Sequence, residues 1–496
     1  MVNARHALLK FFVFSPMLVW FYQTISLAWV YDVIFVAYVI TIISIIVIVV
    51  SENRNPVKTL AWVSVLMLMP VLGAILYIFF GRNIKNTQKL SRRNRRRLKK
   101  REPDPHTDYK TLGLSQESIQ AIRLGNALTG SHFYPGNNVK IFTRGGEKFA
   151  QFLEDLRSAR QYINIQYYIF SDDKVGNEVA DILIDRALAG VTVRIIYDHV
   201  GSWSTSTKFF KRMKQAGIEV YPFFKVTFAW LGSRINWRNH RKLCVIDGKI
   251  GYIGGMNIAD RYIDGGREFG CWRDTHVRVT GPIVAALQHS FAVDWHFMGQ
   301  PLISDSIDTD ALTGSVGAQL ITSGPTSQWP NIAYMFHRAI CNANRRVYIQ
   351  TPYFLPTDSL MKALITASLA HIDVRVMIPR KCDSHLLNFA SASYVTQCLQ
   401  AGIKVYFYEP GMLHSKIIII DDDIASIGST NFDFRSFEHN FEANLFFYSP
   451  DFTSKVLEIY RNDLEECTRI YPNKWKRRPW WRRCVESVVR LLSPIL

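Results

Sequence analysis

Two short stretches of this chain carry the same set of reactive side chains at the same spacing. His240, Lys242 and Asp247 form one set and His414, Lys416 and Asp421 the other, each reading H-x-K-x4-D. After six further residues each continues into a small pair and an asparagine, Gly254-Gly255-Met256-Asn257 and Gly428-Ser429-Thr430-Asn431. One copy arises by composition with a chance on the order of a few per cent, but two with matching continuations mark a duplicated site. An imidazole beside an ammonium suits a phosphate. The lysine neutralises non-bridging oxygens, while a neutral histidine attacks phosphorus or a protonated one hands a proton to the leaving oxygen. Gly255 and Ser429 are small enough to let a phosphate reach the backbone, with Asn257 and Asn431 as amide donors. The site offers lysines where a divalent-metal site would offer carboxylates, and no Gly-rich nucleotide loop is present, so no metal and no cofactor are expected.

The spacing makes sense on a strand. β-Branched residues follow each lysine, and i, i+2 positions share a face, so each His–Lys pair points into one pocket. Asp247-Gly248 and Asp421-Asp422-Asp423 read as hairpin turns before a second strand, which makes Asp247 and Asp421 turn-forming supports of the motif. The repeat reaches further: Tyr162–Phe170 resembles Val347–Phe354, Val193–Ile195 answers Val374–Val376, and Gly217–Tyr221 answers Gly402–Tyr406. Strand, helix, strand, helix, strand and motif hairpin make each half an α/β unit. Two such halves meeting face to face bring both motifs to one cleft, with Gly299 to Gly317 as connector.

With these motifs the chain resembles the phospholipase D superfamily, and within it the bacterial cardiolipin synthases. The phrases that carry the likeness are Asn239-His240-Arg241-Lys242, Gly255 to Tyr262, Trp272 to His276, Ser323 to Pro325, Thr351 to Phe354 and Asn431 to Ser436. The resemblance implies two tandem phospholipase D-like α/β domains forming a pseudo-two-fold pair, and a metal-free phosphatidyl-histidine intermediate. One motif histidine acts as nucleophile, by family precedent His240, and the other as general acid and then base. It also implies that an acidic residue about thirty positions after each histidine bonds its far nitrogen; the matching positions are Asp274 and Glu442.

The composition sets the surroundings. Among 496 residues the net charge is +18, and 48% are hydrophobic. The stretch from Phe11 to Val30 reads as an interfacial helix or extra span. Tyr31 to Val50 and Thr59 to Phe80 are each long enough to cross a bilayer, so residues 31–80 are expected to form a transmembrane hairpin. A basic linker over 81–117 contains Arg92, Arg93, Arg95, Arg96 and Arg97. Following a span, it favours the cytoplasmic side and anionic lipid over nucleic acid. Residues 118–305 and 306–470 form the two catalytic domains. Cations, tryptophans and valines over 471–496 favour a membrane-surface helix over a packed one. Seven cysteines without paired spacing fit a reducing compartment.

The expected enzyme transfers a phosphatidyl group from one phosphatidylglycerol to another, giving cardiolipin and glycerol, at the bacterial cytoplasmic membrane, where it is multi-pass. Its partners are phosphatidylglycerol, other anionic phospholipids and the bilayer, without nucleic acid. The same pocket would serve a phospholipase D-type hydrolase or a transferase with another alcohol acceptor. The sequence leaves open whether the chain forms a homo-oligomer.

Overall fold

The computed structural model describes residues 28–51, 56–77, 113–225, 237–303, 305, 307 and 313–491. All but Ala28 to Val30 of the expected segment at 1–30, the basic run from Ser91 to Arg101 and the last five residues lie outside them.

Each half repeats one series of strands. The first half has β1 (Phe133–Phe142), β2 (Tyr162–Tyr167), β3 (Thr192–Asp198), β4 (Glu219–Phe223), β5 (Leu243–Ile246), β6 (Ile250–Gly254), β7 (Trp272–Arg273) and β8 (His276–Thr280). The second has β9 (Val316–Ser323), β10 (Arg346–Gln350), β11 (Phe354–Leu355), β12 (Asp373–Pro379), β13 (Lys404–Tyr408), β14 (Met412–Leu413), β15 (Ile417–Ile420), β16 (Ile424–Gly428), β17 (Phe432–Asp433), β18 (Glu442–Tyr448) and β19 (Cys467–Ile470). Fifteen strands make one sheet in the order β19-β13-β12-β10-β15-β16-β18-β9-β1-β8-β6-β5-β2-β3-β4. Read outward from the β9–β1 junction, the two halves repeat the same order over seven strands, and the second adds β19 beyond β13.

The parallel trio β2, β3 and β4 is joined by crossover helices Lys174–Leu188 and Thr207–Gln215, and β5, β6 and β8 are antiparallel. Strands covered on both faces read as unbroken buried runs, as all of β2 and the four isoleucines of β15 do. Each buried isoleucine contributes about 1.5–3 kcal/mol. The halves were expected to meet face to face. They also join edge to edge, because β1 pairs antiparallel with β9 in the registers Phe133↔Gln319 and Tyr134↔Ala318. This junction removes two open edges whose N–H and C=O groups would otherwise stay unpaired. One apolar cluster crosses the junction, uniting Val245, Ile253 and Leu287 with Ile417, Ile419 and Leu445.

At the N-terminus, α1 (Ala28–Ser51) covers the whole of the first expected span and is followed by α2 (Pro56–Leu68) and α3 (Pro70–Leu76). The second span is therefore not one helix. Pro70 has no N–H to continue the ladder, and Met69 leaves helical geometry at φ −136°. Leu66 and Tyr77 pack with Ile45, Ile46 and Trp62, closing the pieces against α1. Among the described residues no helix is long and apolar enough to cross a membrane.

The C-terminal helix differs from the surface element expected. Helix α5 (Trp480–Leu491) lies on α4 (His385–Gln400), burying Glu486 and Val489 while Arg490 donates to Gln397. Its other face leaves Trp480, Trp481, Val488 and Leu491 exposed.

Candidate active site

His240 and His414 open into one cavity of about 240 Å³. Neither histidine lies within a strand, contrary to the expected placement; each precedes one, β5 or β15. Their positions are fixed by the opposite half. Asn239 bridges to Phe441, and the His240 N–H donates to the Phe441 carbonyl at 2.9 Å, one residue before Glu442. In the same way β14 pairs with β7, and the His414 N–H donates to the Arg273 carbonyl at 2.7 Å, one residue before Asp274.

This lacing exchanges the carboxylates. Nδ1 of His240 lies 2.9 and 3.1 Å from the oxygens of Glu442, and Nδ1 of His414 lies 2.6 Å from Asp274 Oδ2. The expectation that each histidine is served from its own half is corrected: Asp274 holds the histidine of the second half and Glu442 that of the first. The carboxylates assign the proton to Nδ1 and leave the Nε2 lone pair for chemistry.

Both carboxylates are fully buried. Burial alone would push Asp274 up, but Lys416 and His414 outweigh it and its carboxyl is lowered; Glu442 is lowered likewise, by His240 and Lys242 against burial. Burial lowers His240 to about 4 against the opposing pull of Glu442. His414 falls to about 4 through burial reinforced by Lys416. Both rings are therefore neutral at pH 7, as a nucleophile or general base requires.

The motif lysines depart from their expected place beside the phosphate. Lys242 Nζ donates to the His240 carbonyl at 2.6 Å, and Lys416 Nζ donates to the His414 carbonyl and stands 2.8 Å from His414 Nδ1. Both are buried behind the rings and do not line the cavity. Burial lowers both ammonium groups, Lys416 to about 8 and Lys242 well below its usual value. Positive charge on the wall comes instead from Arg238, Arg261 and Arg435.

Asn257 and Asn431 do line the cavity. Asn257 donates to the Tyr262 hydroxyl and accepts from the Ile169 N–H at 3.0 Å. Gly255 and Ser429 serve the carboxylates, not a phosphate. A Cβ on Gly255 would stand 2.0 Å from Asp274 Oδ1, so only glycine admits that carboxylate, whereas Ser429 Oγ donates to Glu442 at 2.5 Å.

Asp247 and Asp421 sit at φ 52° in their turns, away from the cavity. Asp247 accepts the N–H groups of Arg160, Gln161 and Tyr162 at 2.8–2.9 Å; Asp421 does the same for Asn344, Arg345 and Arg346 at 2.7–2.9 Å. Each ties its motif hairpin to the start of β2 or β10.

A model of the family described as cardiolipin synthase, PLD-like domain, matches residues 152–295 and 336–464. A second, described as phospholipase D-nuclease N-terminal, matches 36–82. Cardiolipin synthase 2 of Bacillus anthracis is 40% identical over 459 residues, covering 90% of this chain and 88% of the relative. The major cardiolipin synthase of Bacillus subtilis is 39% identical over 466 residues, covering 91% and 96%. The chain belongs to the phospholipase D-like cardiolipin synthase family. A solved phosphatidylserine synthase of Haemophilus influenzae shares the fold, with TM-score 0.60, 13% identity, and coverage of 76% of this chain and all of that one.

Members of this family are recognised by their motifs, yet several residues that build the site here stand outside them. Asp294 binds Arg241 and Gln166, each at 2.5 Å, and Asp463 binds Arg273 at 2.7 and 2.8 Å and Gln350 at 2.7 Å. Each buried latch fixes a residue next to a motif histidine or carboxylate. Tyr168, also outside the motifs, stands edge-on to His240 at 5.0 Å, whereas Tyr262 and Trp272, which lie within the motif phrases, flank His414 at 6.0 and 5.3 Å. The repeat did contain one signal: Arg261 and Arg435 each follow the motif asparagine by four residues. Among the described residues no group of three His, Cys, Asp or Glu side chains is placed to hold a metal ion.

Proposed function

We propose that the protein transfers a phosphatidyl group from one phosphatidylglycerol to another, releasing glycerol and forming cardiolipin. One observation carries the reading: two neutral histidines, each with Nδ1 held by a buried carboxylate from the opposite half, share one arginine-lined cavity. His240 Nε2 attacks phosphorus as the glycerol oxygen leaves with the Nε2 proton of His414, whose ring is neutral in the empty site and takes up that proton from solvent when the anionic phosphodiester beside it and Asp274 behind it stabilise the imidazolium. His414 then takes the proton of the entering hydroxyl, whose oxygen displaces His240. Arg238, Arg261 and Arg435 neutralise the non-bridging oxygens, with Lys242 and Lys416 adding positive potential from behind. Both phosphodiesters are alike in energy, so the exchange needs no activated donor.

The N-terminal helices and the basic segment after them anchor the enzyme in the bacterial cytoplasmic membrane, with the catalytic halves on the cytoplasmic side. The apolar sequence of α1 and the family match over 36–82 support this placement.

The test is incubation of the purified full chain with phosphatidylglycerol vesicles, scoring cardiolipin, glycerol and phosphatidic acid. Cardiolipin and glycerol in equal amounts are expected. Phosphatidic acid without cardiolipin would assign hydrolysis instead.

A further inference from the structure

The cavity is not symmetric, although its halves are. On the His240 flank stand Tyr168, Arg238 and Arg435; the Asp198 carboxylate, which does not line the cavity, acts on Tyr168 ahead of both guanidinium charges. On the His414 flank the wall carries Tyr353 and Asp383, with the Tyr353 hydroxyl donating to Asp383 Oδ1 at 2.6 Å. The repeat-related position to Tyr353 is Ile169: each follows the buried glutamine of its strand, Gln350 or Gln166, by three residues, and both line the cavity. The tyrosine–carboxylate pair is thus peculiar to one flank. Asp383 is exposed at the cavity mouth, and its charge acts on His414 and Lys416.

A carboxylate is the wrong group to meet a phosphodiester, which it repels, and the right one to meet a polyol. It accepts hydroxyl hydrogens, two at once from a vicinal diol, and bonds to a charged acceptor are about twice as strong as neutral ones. The Tyr353 hydroxyl spends its proton holding Asp383 in place and leaves the other carboxylate oxygen for a ligand. From this geometry we infer that Asp383, positioned by Tyr353, forms a polyol subsite beside His414 that binds the glycerol of the leaving head group and of the entering lipid. The inference rests on the phosphatidyl-transfer reading and deepens it. Leaving and entering alcohols use one site because the second step retraces the first. As the entering O–P bond forms, the His240 N–P bond breaks and the hydroxyl proton passes to His414. The alcohol side of the reaction therefore belongs to His414, and His240 is left as the nucleophile on structural grounds.

The test uses the detergent-solubilised full chain and phosphatidyl-p-nitrophenol, a donor without a polyol, with glycerol and propan-1-ol as competing acceptors. Asp383→Asn is expected to lower the ratio of glycerol to propanol transfer about tenfold, the size of one lost charge-assisted hydrogen bond. Tyr353→Phe, which keeps the ring and removes the hydroxyl, is expected to lower it in the same direction. Ratios within about twofold of the unmodified chain in both variants would overturn the subsite while leaving phosphatidyl transfer intact. Failure of the unmodified chain to transfer to either alcohol would overturn the transfer reading and this inference together.

Discussion

Removing the charge from one carboxylate of the crossed pair should cost far more than removing it from the other. In Asp274→Asn, Oδ1 accepts the Thr275 backbone N–H at 2.7 Å while Oδ2 faces His414 Nδ1 at 2.6 Å. An asparagine has one acceptor oxygen. The backbone donor cannot turn away, so the oxygen stays with Thr275 and the amide NH2 faces Nδ1. That nitrogen must then accept, as it can also from Lys416 Nζ 2.8 Å away, and the ring proton moves to Nε2. His414 so configured cannot act as a base, and a wrong tautomer costs about 10⁴-fold in kcat. In Glu442→Gln the oxygen can remain at Oε1, where His240 Nδ1 and Asn440 Nδ2 both donate at 2.9 and 3.3 Å. The new NH2 then meets Ser429 Oγ, a hydroxyl free to rotate and accept. Only the charge is lost, about 1.5–3 kcal/mol or 10- to 10²-fold. Initial rates of cardiolipin formation, with thermal melting to confirm folding, decide the matter. Equal losses, or a larger loss for Glu442→Gln, would refute the hydrogen-bond reasoning.

Other consequences are open to the same preparation. His414→Ala should still trap lipid label from a donor with a good leaving group, on a peptide containing His240, whereas His240→Ala should trap none; label confined to His414 would reverse the roles. Both histidines titrate near 4 when folded and near 6.5 when unfolded, so the unfolded chain takes up protons first as pH falls. Stability is fully present above pH 6.5 and is lost between 6.5 and 4, by up to about 3 kcal/mol per histidine, and a melting temperature flat across that window would contradict the burial account. Asp247→Ala and Asp421→Ala, which strand three backbone donors each, should cost about 1–3 kcal/mol of stability while leaving kcat of the folded fraction near normal. A kcat collapse in a fully folded variant would give those aspartates a chemical role. Chelators should leave the rate unchanged, and reversible inhibition by EDTA relieved by a divalent cation would count against metal-free chemistry.

The duplication was legible because it is written in local spacing: residue types repeat at fixed offsets, and the buried strand β15 announces itself as an apolar run, while β2 alternates apolar residues with Asn164 and Gln166. What local spacing cannot express is which half a side chain serves. Asp274 and Glu442 were found as residues but paired with the wrong histidines, since the exchange depends on the Asn239–Phe441 bridge and the β7–β14 pairing between distant segments. Strand β1 was hidden by Pro135-Gly136-Asn137-Asn138, which interrupts its alternation and sits where the register against β9 shifts. The lysines were misplaced for a different reason. Alternation along a strand applies only within the strand, and both motifs precede theirs. Asp383 left no trace because it has no repeat-related partner to draw attention to it.

The central claim is a double displacement through a phosphatidyl-histidine, and the stereochemical course at phosphorus tests it most directly. Two in-line steps invert the centre twice. Phosphatidylglycerol made chiral at phosphorus with oxygen isotopes should give cardiolipin with net retention at the transferred phosphorus. Net inversion would mean direct attack of one lipid on the other and would contradict the account.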